Sequence, residues 1–205
     1  TMIGTNGAAS VRLRVAMPYD AAGFNEAYRN FTGGGGYYPA NNIFSRLVVL
    51  DIFGDGGCVP DLAASWDVLD DGQRYRFHLR DGITWHDGSP FTAEDVRETY
   101  VTAISRGYHA AAYLRGLRDV EVRDPLTVDL VLDGANAGFL AQLGIFVWTH
   151  ILPAHMYAGT DWATNPFNVG PVGTGPFRFA EWRRGESVRL VANADHFRGR
   201  PAIDE

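Results

Sequence analysis

Between Pro60 and Tyr100 the pattern of hydrophobic and polar positions changes period. Trp66 and Val68 alternate with polar neighbours, and then Tyr75, Phe77 and Leu79 alternate with Arg74, Arg76 and His78. Period two on both sides of Asp70-Asp71-Gly72, a turn triplet that favours positive φ at its glycine, predicts a half-buried β-hairpin. Asp81-Gly82 and Asp87-Gly88-Ser89-Pro90 turn the chain again. The period then lengthens: Val96, Tyr100, Ala103 and Ile104 form an apolar stripe behind Thr92, a helix N-cap with Asp95 three residues on. Trp66, Tyr75, Phe77, Leu79, Phe177 and Trp182 are expected to be substantially buried.

The same reading extends in both directions. Val11 to Met17 alternates and predicts a first strand, ended by Pro18. Thr32 to Pro39, with four consecutive glycines, predicts a flexible loop; no Lys-Ser/Thr follows them, so it is not a phosphate-binding loop. Asn41 or Asn42 caps an expected helix with Ile43, Phe44, Leu47 and Leu50 on its apolar face. Tyr108 to Leu117 suggests a short helix. Strands are expected at Asp119 to Arg123 and Thr127 to Leu132, around Asp124-Pro125. Asn136 caps a helix with Phe139, Leu140 and Leu143 inward, and Pro153 suits a helix N1 position. Phe177, Phe179 and Trp182 alternate, Arg184-Gly185-Glu186 turns, and Val188 and Leu190 alternate on the return. There are no internal repeats.

Composition narrows the function classes. The chain has 205 residues, 46% hydrophobic and 20% charged, which is ordinary for a soluble globular protein. Its net charge is −6, with no basic stripe, so nucleic acid is not an expected partner. All 18 basic residues are arginine. One cysteine, Cys58, rules out an internal disulfide and reads as a small loop or core residue. No apolar run is long enough for a membrane helix, and Thr1 to Ser10 lacks the basic start and apolar core of a signal peptide. Neither a nucleophile elbow nor a partner for Cys58 appears. His109, His150, His155 and His196 lack metal-ligand spacing, and His86-Asp87 reads as part of a turn. No metal, cofactor or catalytic residue is expected.

The chain resembles one family over most of its length: the extracytoplasmic solute-binding proteins of bacterial ABC importers, family 5, the peptide/nickel-binding type. Its pattern "P-x-L-A-x-S-W" stands at Pro60, Leu62, Ala63, Ser65 and Trp66. "D-D-G-x-x-Y-x-F-x-L-R" stands at Asp70 to Arg80. "G-x-x-W-H-D-G-x-P" stands at Gly82 to Pro90, and "T-A-E-D-V" at Thr92 to Val96. Further matches are Asp124, Thr127, Val128, Leu132, Phe139, Leu140 and Leu143, then Ile151-Leu152-Pro153-Ala154-His155, Gly170 to Phe177, and Asn193, Asp195, Phe197, Gly199, Pro201 and Asp204. Glu26 stands where the family often has proline, and Gly170 where it often has asparagine.

The resemblance implies an α/β (mixed α+β) fold: a periplasmic-binding-protein-like lobe with a mixed sheet, flanking helices and a β-hairpin-rich subdomain. Residues 1–10 are then a flexible leader, 11–39 and 169–205 a sheet domain, and 40–168 an inserted subdomain. Family members are roughly twice this length or more, so the second lobe is expected to be absent and the chain to be a piece of a longer receptor. Only one wall of the cleft then belongs to it, and alone it should bind its solute weakly, short of micromolar, or not at all. The implied function is capture of a small solute, with peptide the leading class, for delivery to a membrane permease. The protein is then a periplasmic or extracellular monomer, with an export segment removed and a membrane anchor before processing left open. Sugars, opines and nickel chelates stay open as ligands. A stand-alone interaction domain and a secreted hydrolase are the competing readings. The resemblance implies aromatic ligand contacts near loop tips. Tyr37 and Tyr38 leave the glycine loop. Tyr108 and Tyr113 follow the Thr92 helix where relatives place a ligand tyrosine, and spacing does not choose between them. Tyr19 and Asp20 follow the first strand in a cleft-facing loop, and Trp148, in the apolar run Ile145 to Trp148, lines the cleft or fills the core.

Overall fold

A computed structural model describes residues 10–28, 35–144 and 147–205, the side chain of Val147 excepted. Residues 1–9 of the expected leader, Thr32 to Gly34 of the glycine loop, and Ile145-Phe146 lie outside the described residues. In chain order the elements are α1 (Tyr37–Ile43), β1 (Val48–Leu50), β2 (Cys58–Pro60), β3 (Ala63–Leu69), β4 (Arg74–Leu79), α2 (Ala93–Arg106), β5 (Leu117–Asp124), β6 (Thr127–Leu132), α3 (Phe139–Gly144), α4 (Ala154–Tyr157), β7 (Phe177–Arg183) and β8 (Ser187–Ala192). The fold is mixed α/β. A four-stranded sheet of order β3-β4-β6-β5 stands beside two hairpins, β1-β2 and β7-β8, and every strand pairing among the described residues is antiparallel.

The predicted hairpin is β3-β4, with Trp66 opposite Phe77 and Val68 opposite Tyr75. Its turn is left-handed at Gly72 (φ 87°) and also at Asp70 and Asp71 (φ 51° and 52°), a region aspartate tolerates better than most residues. Alternation along β4 sends Tyr75, Phe77 and Leu79 into the core. Trp66 and Trp182 are half-buried against it, and Phe177 is half-buried. Val68 lies on the sheet's edge strand and is exposed. The opposite face of the sheet is ionic. Arg74, Arg76 and Arg123 close on Asp129 at 2.7–2.9 Å. Burial disfavours the Asp129 carboxylate, yet the three guanidinium groups outweigh it and hold its pKa down at about 2.

The helix α2 forms where its cap places it, with Thr92 and Asp95 making a capping box and Gly107 ending it at φ 65°. Val96, Tyr100 and Ala103 are buried, but Ile104 faces out.

Two expectations are corrected. Val11 to Met17 is not a strand. Leu13 donates to the Glu205 carbonyl (2.8 Å) and Asp204 to the Val11 carbonyl (2.8 Å), yet only these last residues lie beside it among those described, and Val11, Leu13 and Val15 stay exposed. The helix expected behind Asn41 or Asn42 begins earlier and stops at Ile43. Both asparagines sit inside α1 and donate back to Tyr37 O and Tyr38 O. The cause is a tertiary contact: Gly175 N–H takes the Ile43 carbonyl at 2.8 Å, the acceptor that a continuing helix would offer to Leu47. Leu47 and Val48 are buried at the entry to β1 instead.

This contact explains part of the family-like pattern. A Cβ on Gly173 would lie 1.9 Å from Ile43 O, and one on Gly175 would lie 2.5 Å from Asn42 O, so neither position admits a side chain without displacing backbone. Around them, His86 Nδ1 accepts from Gly173 N–H (3.2 Å), and His86 Nε2 and Asn193 Nδ2 both meet Gly175 O (3.0 and 3.1 Å). Three stretches far apart in sequence thus lock one another and fix the end of α1.

Candidate functional site

Gly35 and Gly36 set the start of α1. A Cβ on Gly35 would fall 2.2 Å from Tyr19 O, and one on Gly36 would fall 2.1 Å from Gly23 O. These two glycines therefore serve close backbone packing rather than a flexible loop, and both are buried. They deliver Tyr37 and Tyr38 to the first turn of the helix, with their rings edge to face at 5.5 Å.

A second segment meets them. After Gly107 the chain enters a 3-10 turn, His109–Tyr113, pinned by His109 N–H to Tyr28 O (3.1 Å) and Ala110 N–H to Ala27 O (2.9 Å). A third segment brings Trp148 within another 3-10 turn, Val147–Thr149. Trp148 stacks on Tyr113, with centroids 4.9 Å apart and planes 13° apart, and stands 6.3 Å from Tyr37. His109 sets its edge against both Tyr113 and Trp148 at 5.5 Å. The four rings Tyr37, Tyr113, Trp148 and His109 are half-buried, and Tyr38 at the margin is exposed. The result is an aromatic platform drawn from three segments.

Burial favours the neutral forms of two platform groups. Burial pushes the Tyr37 phenol up and the His109 imidazole down from their ordinary values. The His109 Nε2 atom is buried without a hydrogen-bond partner. Flat rings beside one unspent ring nitrogen, that of His109, suit an apolar or planar group of a small molecule. Among the described residues no three His, Cys, Asp or Glu side chains are arranged to hold a metal ion.

The other candidates stand elsewhere. Tyr19 is exposed. The Asp20 carboxylate closes the β7-β8 turn, accepting from Gly185 N–H (2.7 Å) and Trp182 Nε1 (3.2 Å). The Gly185 bond, then that of Trp182, holds its pKa below the usual carboxylate value. Tyr108 stacks on Trp162 at 4.9 Å, meets Tyr28 edge-on at 5.1 Å and donates to Asp161 at 3.2 Å. Of the two tyrosines that spacing left open, Tyr113 is the one on the platform. His109 was not singled out from sequence, because a lone histidine before three residues of small or aromatic type carries no spacing signal.

Residues 57–205 match the family model of the bacterial extracellular solute-binding proteins, family 5 (middle region). The oligopeptide-binding protein AppA of Bacillus subtilis (strain 168) is 35% identical over 149 residues, which cover 70% of this chain and 27% of that protein. The solved structure of AppA from Bacillus subtilis in complex with a nonapeptide superposes with a TM-score of 0.81 at 30% identity, covering 91% of this chain and 37% of that one. The structure of MoaA from A. tumefaciens R10 in complex with mannopinic acid gives a TM-score of 0.85 at 27% identity, covering 96% of this chain and 40% of that one. The chain spans between 27% and 42% of the length of curated relatives such as AppA and the dipeptide-binding protein of Escherichia coli (strain K12).

Proposed function

The chain belongs to the bacterial extracellular solute-binding proteins of family 5, and from that premise we propose that the platform of Tyr37, Tyr113 and Trp148 is one wall of its solute site. Peptide is the leading solute class. The peptide-binding relative and its nonapeptide complex support that choice, and the mannopinic acid complex keeps an opine as the second class.

The carrying observation is the parallel stack of Tyr113 on Trp148, half-exposed at the meeting of three segments. Core aromatics of this chain such as Trp85 and Trp162 are closed off completely, whereas these rings are not. In this reading the protein captures rather than transforms its solute, acts outside the cytoplasm as a monomer, and passes the solute to a membrane permease. A membrane anchor is compatible with that location. Residues 11–39 and 169–205 form one domain and residues 40–168 an inserted one. The grouping is supported by Phe24, which packs on Phe179 and Trp182 at 5.5 and 5.2 Å, and by the bonds between residues 11–13 and 204–205.

Calorimetry with di- and tripeptides bearing an apolar side chain tests the reading. The wild-type chain should release or take up heat on titration, and Trp148→Ala, still folded by circular dichroism, should lose at least about tenfold in affinity, as expected when a stacking surface is removed. Equal binding by wild type and Trp148→Ala would place the solute elsewhere.

A further inference from the structure

Arg46 differs from the other arginines of the described residues. Most pair with a carboxylate, as Arg74, Arg76, Arg123, Arg178 and Arg198 do. Arg80 donates to Asp61 O (2.7 Å) and Arg184 lies over the Trp182 ring. Those with no partner at all, such as Arg14, Arg106, Arg115 and Arg118, are exposed. Arg46 is half-buried, and its guanidinium makes neither a hydrogen bond nor an ion pair with any described residue.

Its place in the fold is next to the platform. Arg46 sits in the link between α1 and β1, which runs along the segment that follows Trp148. The Phe44 ring stacks on His150 at 4.3 Å, and Ile151 N–H donates to Ser45 O at 3.0 Å. The guanidinium lies within electrostatic reach of the Tyr37 and Tyr100 phenols and of Asp61. Tyr100 donates to the carbonyl of Thr149, the residue after Trp148. Asp61 is already engaged, by Arg198 at 2.9 Å and by the Arg46 backbone N–H at 2.9 Å. Burial penalises the charged guanidinium and lowers its pKa, and the attraction of Asp61, Tyr37 and Tyr100 offsets that cost only in part, with no hydrogen bond or ion pair to the guanidinium among the described residues. A neutral side chain would serve stability at least as well, and costs of this kind are characteristic of binding sites.

We propose that Arg46 is the anion-recognition residue of this site, taking a ligand carboxylate whose attached apolar or aromatic group lies on Tyr37, Tyr113 and Trp148. The inference rests on the platform being the solute site. A guanidinium presents a planar fork of N–H donors that matches a carboxylate in two-point geometry, and an unpaired one keeps that fork available. The carboxylate belongs either to a peptide's chain end or to a non-peptide acid.

Two probe pairs test this on the full 205-residue chain by ligand-observed NMR titration. Ala-Phe and Ala-Phe amide test the chain end, and 3-phenylpropionate and its amide test a simple acid. The wild type should prefer at least one acid over its amide by about tenfold, the scale of a charge-assisted hydrogen bond. Preference in the first pair alone identifies a peptide end; preference in both identifies the carboxylate itself. Arg46→Gln should erase the preference by weakening the acid to the level of the amide, Arg46→Lys should keep part of it, and Arg46→Gln should melt no lower than wild type. Equal binding of acid and amide by wild type, a preference that survives Arg46→Gln, or a clear drop in the melting temperature of Arg46→Gln would each overturn the role of Arg46 and leave the platform standing. If no probe binds the folded wild type, the platform reading fails as well.

Discussion

His86 shows how a single side chain in the family-like pattern acts on the fold rather than on a ligand. Its Nδ1 accepts from Gly173 N–H and its Nε2 meets Gly175 O, so the ring is a neutral bridge with its proton on Nε2. Burial is the main cause that lowers its pKa to about 4. The unfolded ring takes up a proton near pH 6.5, whereas the folded ring resists it until about pH 4. The stability tied to the neutral ring is therefore complete above pH 6.5, declines as the pH falls through that window, and is gone below about pH 4. Urea unfolding at several pH values should show wild type losing on the order of 3 kcal/mol across the window through this group. His86→Gln should start less stable and flatten the dependence. An unchanged slope in His86→Gln would assign the acid sensitivity to other groups. Arg46 represents the opposite case, a residue whose burial costs the fold more than its attraction to Asp61, Tyr37 and Tyr100 returns.

At the scale of elements, α2 carries much of the frame. Asp95 caps it by accepting from Thr92 N–H (2.8 Å), then reaches out to Ala154 N–H (2.8 Å) and Trp85 Nε1 (3.4 Å), tying the helix to the start of α4 and to the Trp85 turn. Asp95→Ala leaves these buried donors without an acceptor and should destabilise the chain by about 3 kcal/mol or more, against about 1 kcal/mol for Thr92→Ala. Chemical denaturation of the two variants should separate them, and equal losses would reduce Asp95 to a simple cap. This helix was legible in the sequence because its cap, stripe and terminal glycine are local. So was the β3-β4 hairpin, whose period and turn lie within some twenty residues. The end of α1 was not legible, since Ile43, Phe44, Leu47 and Leu50 keep helical spacing and only Gly175, far along the chain, takes the carbonyl that stops the helix. Nor did alternation foretell that Val11 to Met17 would lack a neighbour along its length.

For the whole molecule, the core is one continuous cluster from Ala21 to Trp162, with Phe179, Trp182, Val188 and Leu190 packed against it. His86, Gly173, Gly175 and Asn193 tie the C-terminal part of the chain to its middle, and through the Ile43 carbonyl they fix the end of α1, the helix that carries Tyr37. The sequence could name Tyr37, Tyr113 and Trp148 as separate candidates, but rings spaced like core residues do not announce which of them meet. The ion-pairing state that singles out Arg46 is a tertiary property with no trace in its neighbours. The most direct test of the account is the set of tryptophan indole N–H resonances in a heteronuclear NMR titration with an apolar tripeptide, with Trp148 assigned by Trp148→Phe. The account predicts that the Trp148 signal moves in a saturable way while those of Trp85 and Trp162, both fully buried, stay in place. A tripeptide that binds without moving Trp148, or that moves Trp85 and Trp162 instead, would contradict it.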